Sequence, residues 1–153
     1  MPDILHLVTI HAAPERVYQA LTTAEGLRNW WTRDAELEAK IGGMGLVKFY
    51  GGQGVTKLRV DDLTPPLRVG WTIIAANAPG GWDGTTITFD LRPAGDNSVV
   101  ALAHRGFAQA NDGYALVTTG WAYYLVSLKQ YLEMGQGWPQ QEKNFAILAG
   151  LPA

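Results

Sequence analysis

Apolar and polar residues alternate through the middle of the chain with the period of two that marks strands. Glu36, Glu38 and Lys40 fall on one side of the alternation and Leu37, Ala39 and Ile41 on the other, predicting a strand over 36–41. Over 55–63, Leu58 and Val60 alternate with Lys57, Arg59 and Asp61; over 85–92, Ile87, Phe89 and Leu91 alternate with Thr86, Thr88 and Asp90. Further strands are expected over 3–11, 46–50, 67–76 (Val69, Trp71 and Ile73 in phase) and 98–107. The breaks are rich in Gly and Pro: Gly42-Gly43-Met44-Gly45, Gly51-Gly52-Gln53-Gly54, Pro65-Pro66, Pro79-Gly80-Gly81 and Ala94-Gly95-Asp96-Asn97. Short turns between regularly spaced strands predict an antiparallel meander with one apolar face to be covered.

Three segments change to the helical period. Pro14 and Glu15 open the first, Pro14–Thr22, where Val17, Tyr18 and Leu21 share a face. A second short helix over 24–31 carries Leu27, Trp30 and Trp31. The third, Asp112–Met134, has an apolar stripe through Tyr114, Val117, Trp121, Tyr124, Leu125, Leu128 and Leu132. Asp112 is the expected N-cap and Gly135 the expected stop. At ~1.5 Å per residue this helix is roughly 34 Å long, enough to cross a sheet. Leu116, Tyr123 and Val126 lie on its other side, so cover is expected on both sides. Residues 1–135 read as one domain. Residues 136–153, with Trp138, Phe145, Ile147, Leu148 and Leu151, read as a tail packing on that domain or on a partner subunit.

Composition narrows the chemistry. The 153 residues carry 17% charged side chains, below the usual ~25%, yet six Trp. A net charge of −2 offers no basic field for a nucleic acid backbone. The absence of Cys excludes disulfides, thiol catalysis and thiolate metal sites. The uncharged run 113–128 is shorter than the ~20 residues of a membrane span. The start of the chain has neither the basic region nor the apolar run of a signal peptide. The expectation is a cytoplasmic protein that engages neither nucleic acid nor membrane.

Three stretches carry a resemblance. They are Ala13-Pro14-Glu15-Arg16-Val17-Tyr18-Gln19-Ala20-Leu21-Thr22 with Leu27 and Trp30-Trp31; Gly84-Thr85-Thr86-Ile87-Thr88-Phe89-Asp90-Leu91 with His104-Arg105-Gly106-Phe107; and Gly120-Trp121-Ala122-Tyr123-Tyr124-Leu125 with Leu128-Lys129-Gln130-Tyr131-Leu132-Glu133 and Gly135. Over about residues 4–137 the chain resembles the family of activators of the heat shock protein 90 ATPase, in its single-domain form. That family shares the helix-grip fold, also called START-like or SRPBCC, with polyketide cyclases. The resemblance implies an α+β fold: a curved seven-stranded antiparallel sheet around a long C-terminal helix, with two short helices between strands 1 and 2. Established co-chaperones of this kind carry a further N-terminal domain that engages the chaperone. A single domain of this length leaves no room for it, so the resemblance implies the fold more than it implies chaperone binding.

Candidate chemistry is sparse. Neither Ser98 nor Ser127 sits in a nucleophile elbow, and the Gly clusters lack the context of a phosphate loop. His6, His11 and His104 show no metal-ligand spacing, and no metal or cofactor is expected. Asp61 and Asp62 alternate faces, so their carboxylates should diverge. If Val100 and Leu102 face the long helix, so does His104, either as a hydrogen-bonded core residue or as a polar group for a ligand or proton. One of Trp30 and Trp31 would pack in the core and the other line the mouth. Trp82 would be a gate or a rim cover.

The leading expectation is a small hydrophobic ligand held between sheet and helix. Trp30, Trp71, Trp82, Phe89, Trp121, Leu125 and Leu128 would form its surroundings, and Arg33, His104 and Tyr124 its polar contacts. The alternatives are a cyclase or hydrolase using His104 as acid–base, with Tyr124 or Asp90 as its candidate partner, and a protein-interaction role through a homodimer or a chaperone.

Overall fold

A computed structural model describes residues 2–52, 54–77 and 81–140 of the chain, without the side chain of Tyr50. The expected Pro79-Gly80 turn and the tail residues Phe145, Ile147, Leu148 and Leu151 lie outside the described residues.

The elements run β1 (Ile4–Ile10), α1 (Pro14–Thr22), α2 (Ala24–Trp30), β2 (Asp34–Leu37), β3 (Met44–Phe49), a 3-10 turn (Tyr50–Gly52), β4 (Gly54–Thr64), β5 (Arg68–Ala76), β6 (Thr86–Ala94), β7 (Asn97–Arg105) and α3 (Asp112–Met134). The seven strands form one antiparallel sheet in the order β1-β7-β6-β5-β4-β3-β2. The chain thus starts at one edge, crosses through α1 and α2 to the other, and returns strand by strand. This is the expected helix-grip architecture.

Local chemistry sets the helix ends. Thr23 caps α2, its Oγ1 accepting the Gly26 N–H at 3.0 Å. Gly26 is required for contact with α1, because a Cβ there would lie 2.5 Å from the Ala20 carbonyl oxygen. At the head of α3 the cap is Asn111 rather than Asp112. Asn111 has extended backbone and accepts the Tyr114 N–H at 3.0 Å, whereas Asp112 is already helical. As expected, the helix stops at Gly135, in the left-handed conformation at φ 86°.

α3 lays Trp121, Tyr124, Leu125, Leu128 and Leu132 against the sheet. It also holds the edge strand. The Tyr114 hydroxyl donates to the Asp3 carbonyl and the Lys129 ammonium to the Thr9 carbonyl, each at 2.6 Å; Glu133 accepts the His11 N–H at 2.9 Å. The Thr9 carbonyl belongs to β1 and Asp3 and His11 flank it, so these bonds tie down an edge that could otherwise pair with another chain. The two-sided cover expected for α3 is incomplete within the described residues. Leu116 and Val126 are about half exposed. Only the segment after Gly135 folds back on the helix, with Trp138 N–H donating to Ser127 Oγ at 2.7 Å and Gln140 N–H to the Trp31 carbonyl at 2.9 Å.

Two alternations break where hydrogen bonding overrides them. The strand expected over 36–41 ends at Leu37, because Lys40 and Gly43 N–H turn back onto the Glu38 and Lys40 carbonyls. Ile41 is therefore exposed. A register shift between Val60 and Asp62 brings Asp62 opposite Gly70. Asp61 and Asp62 then both face the outer side, bonded to Arg59 and Arg68 respectively at 2.6 and 2.9 Å. Among the described residues no helix is long and apolar enough to cross a membrane.

Candidate functional site

The space between sheet and α3 holds a continuous train of aromatic rings. Trp30 and Trp31 end α2, and both are fully buried rather than divided between core and mouth. The Trp30 indole donates to the Ala20 carbonyl at 2.8 Å, which fixes the first ring. Trp31 stacks on Trp30 and on Trp71, with centroids 5.6 and 5.5 Å away and planes within 7°. It also meets Trp121 at 5.5 Å, Phe49 at 5.8 Å and Tyr124 at 6.5 Å. Trp71 meets Phe89 edge-on at 5.3 Å, and Phe89 meets Trp121 at 6.0 Å. Offset and edge-on arrangements suit the quadrupoles of the rings.

The train continues from Trp121 into a hydrogen-bonded relay. The Trp121 indole N–H donates to Nδ1 of His104 at 3.0 Å. An indole nitrogen can only donate, so Nδ1 is unprotonated and the proton of the neutral ring sits on Nε2. Nε2 lies 2.7 Å from Thr85 Oγ1, which donates onward to the Trp82 carbonyl at 2.6 Å. Each polar hydrogen in the relay meets an acceptor. Burial pushes the His104 imidazole down to about 3 from its ordinary 6.5. Phe107 and Trp82 close around His104 at 4.6 and 5.6 Å. Gly106, at φ 100° and with Thr85 Cα only 3.4 Å from where a Cβ would sit, lets the chain turn into Phe107.

Three other polar groups of this interior fare differently. The Trp71 indole nitrogen, the Thr56 hydroxyl and the Trp82 indole nitrogen are buried with no hydrogen-bond partner. Thr56 faces inward in phase with Leu58 and Val60.

The sequence candidates therefore divide. Trp30, Trp71, Trp82, Phe89, His104, Trp121, Tyr124, Leu125 and Leu128 are all buried in one interior. Arg33 is exposed. Asp90 bonds to Arg68 at 2.6 Å on the outer face, far from a partnership with His104. Reading strand phase would have added Thr85, with Ile87, and Thr56, with Leu58. Nothing in the sequence marked Trp31 as the hub. Among the described residues no group of three or more His, Asp or Glu could hold a metal ion.

Two clefts stand out at the surface among the described residues. One of about 340 Å³ is lined by Gly81, Phe107, Gln109 and Asn111 and borders the His104 end of the train. The other, about 500 Å³, lies among Arg16, Gln19, Glu25 and Tyr131.

Comparison with known proteins follows the fold. The family model described as Activator of Hsp90 ATPase homolog 1-like protein matches residues 11–133. The solution structure of the Aha1 dimer from Colwellia psychrerythraea is 38% identical, with a TM-score of 0.79 over 90% of this chain and 100% of that one. Protein SSP2350 from Staphylococcus saprophyticus is 19% identical (TM-score 0.74; 89% of this chain, 95% of that one). Protein MLL2253 from Mesorhizobium loti is 20% identical (TM-score 0.75; 87% and 98%). The last two show the shared fold alone. No curated protein matches the chain.

Proposed function

The chain belongs to the Activator of Hsp90 ATPase homolog 1-like family, and from that premise we propose that it binds a small hydrophobic molecule between the sheet and α3. The observation that carries this reading is the aromatic interior, where flat rings meet one another without a charged side chain among them. A ligand ring can make the same offset and edge-on contacts with these faces that the side-chain rings make with one another. Pockets for small molecules are commonly apolar with a few placed polar groups. The cleft beside Gly81 and Phe107 is the natural entrance, with Trp82 next to it.

Binding is favoured over catalysis by the state of His104. Both of its nitrogens are engaged, and it titrates far below neutrality. A general base needs a free nitrogen within reach of substrate and a pKa near the working pH. The test is titration of the full chain with naphthalene-type probes, following tryptophan fluorescence and the indole N–H signals of 15N-labelled protein. Saturable quenching with shifts at Trp71 and Trp121 supports the reading. No saturable response from any probe overturns it.

A second reading has its own observation. Leu116 and Val126 leave an apolar, uncharged strip on the outer side of α3, and the Colwellia relative is described as a dimer. We propose that two copies of this chain meet through that strip. Sedimentation should then give a dimer that Val126→Glu dissociates. A monomer at high concentration would contradict this.

A further inference from the structure

Resting on the binding reading above, we infer that the molecule held in this interior is neutral and planar and carries a hydrogen-bond acceptor that meets the Trp71 indole N–H. The buried polar atoms without partners set the demand. Trp71 Nε1 and Trp82 Nε1 are obligate donors, and Thr56 Oγ1 can act either way. A buried donor without an acceptor is unfavourable, so a ligand that brings an acceptor gains what an isosteric hydrocarbon does not. Trp71 stands at the centre of the train, stacked on Trp31 and edge-on to Phe89. Trp82 stands beside the entrance cleft. The free polar groups of the interior thus favour oxygen acceptors such as a carbonyl or ether.

Charge is refused by the same surroundings. The charged groups of the neighbouring strands are turned outward: Arg68 holds Asp62 and Asp90 at 2.9 and 2.6 Å, and Arg59 holds Asp61 at 2.6 Å. Lys129 and Glu133 bond each other and the β1 edge. His104 is neutral and fixed in one tautomer by Trp121 and Thr85. A carboxylate or ammonium entering this space would find no counter-charge, and an unpaired buried charge is heavily penalised. Trp31 and Trp71 stack on each other with planes within 7°, so a flat ring is the shape that can take over one of those stacking contacts.

Three probes of one shape test this on the full chain at pH 7: naphthalene, 2-acetonaphthone and 2-naphthoate. The ketone should bind about tenfold more tightly than naphthalene, the effect of one added hydrogen bond. It should also move the Trp71 indole N–H signal downfield. The naphthoate should bind more weakly than either. Trp71→Phe should erase the advantage of the ketone over naphthalene, whatever it does to the affinity that the two probes share. If that variant fails to fold, the Trp71 signal of the unaltered protein still decides. Equal affinity for ketone and hydrocarbon, an unmoved Trp71 signal, or tightest binding of the naphthoate overturns this inference while leaving the binding reading intact. Failure of all three probes to bind overturns both.

Discussion

Two parts of the buried aromatic train, around His104 and around Trp71, are equally buried, yet their polar groups fare differently. Around His104, an indole, an imidazole, a hydroxyl and a carbonyl form a closed relay in which every hydrogen has an acceptor. The Trp71 indole N–H sits buried without a partner, as does the inward Thr56 hydroxyl farther along β4. The difference separates two uses of polarity inside a protein. A closed relay fixes one geometry and stabilises the fold. An open group lowers stability until something supplies its partner. His104 is the residue that looks most like chemistry in the sequence, and its surroundings give it a structural task. Trp71 looks like packing, and its surroundings leave a group free for recognition.

This contrast has consequences that scale with it. The largest concerns pH. His104 titrates at about 3 in the folded chain and near 6.5 when unfolded. The unfolded state therefore binds the extra proton below 6.5, so this contribution is fully present above 6.5 and is lost as pH falls towards 3. Over that window the loss approaches roughly 5 kcal/mol, at ~1.4 kcal/mol per unit. Urea unfolding from pH 7 to 4 should show a slope that His104→Gln lacks. An identical slope in the variant would mean the relay opens and admits the proton.

Next in size, His104→Ala should cost about 3–4 kcal/mol, combining a cavity with stranded Trp121 and Thr85 groups. Denaturant midpoints measure this; a loss under about 1 kcal/mol would show that the relay closes on itself without the ring. On β4, Thr56→Val keeps the shape and removes an unpartnered hydroxyl. It should leave stability within about 0.5 kcal/mol of the original or raise it. A loss of about 2 kcal/mol would reveal a bound water or another partner at that position.

Most of the architecture was legible from period alone. The alternation of β4 to β7 and the stripe of α3 gave the sheet, its covered face and the inward placement of His104. Where the reading slipped, a local hydrogen bond outweighed the pattern. Asn111 took the cap because its extended backbone precedes Asp112 by one residue. The turn at Glu38 to Gly43 ended β2 before its alternation did. The bulge beyond Val60 turned Asp62 outward against Gly70, where simple alternation placed it inward. The site was legible as a list of buried aromatics but not as an arrangement. Sequence phase places Trp71 and Trp121 on facing surfaces. It cannot say that one indole finds an imidazole and the other finds nothing, because that depends on side-chain directions set by packing across β4, β5 and α3.

The most direct measurement compares two equal deletions. Trp71→Phe and Trp121→Phe each replace a fully buried indole by a smaller ring, and each removes one N–H. The lost volume should cost about 1 kcal/mol in either case. Trp121→Phe should cost a further ~1–3 kcal/mol, since it leaves His104 Nδ1 without its donor. In ligand-free protein, Trp121→Phe should therefore unfold at a clearly lower urea concentration than Trp71→Phe. Equal midpoints, or a greater loss at Trp71, would mean that the Trp71 N–H is already satisfied and offers nothing free for recognition.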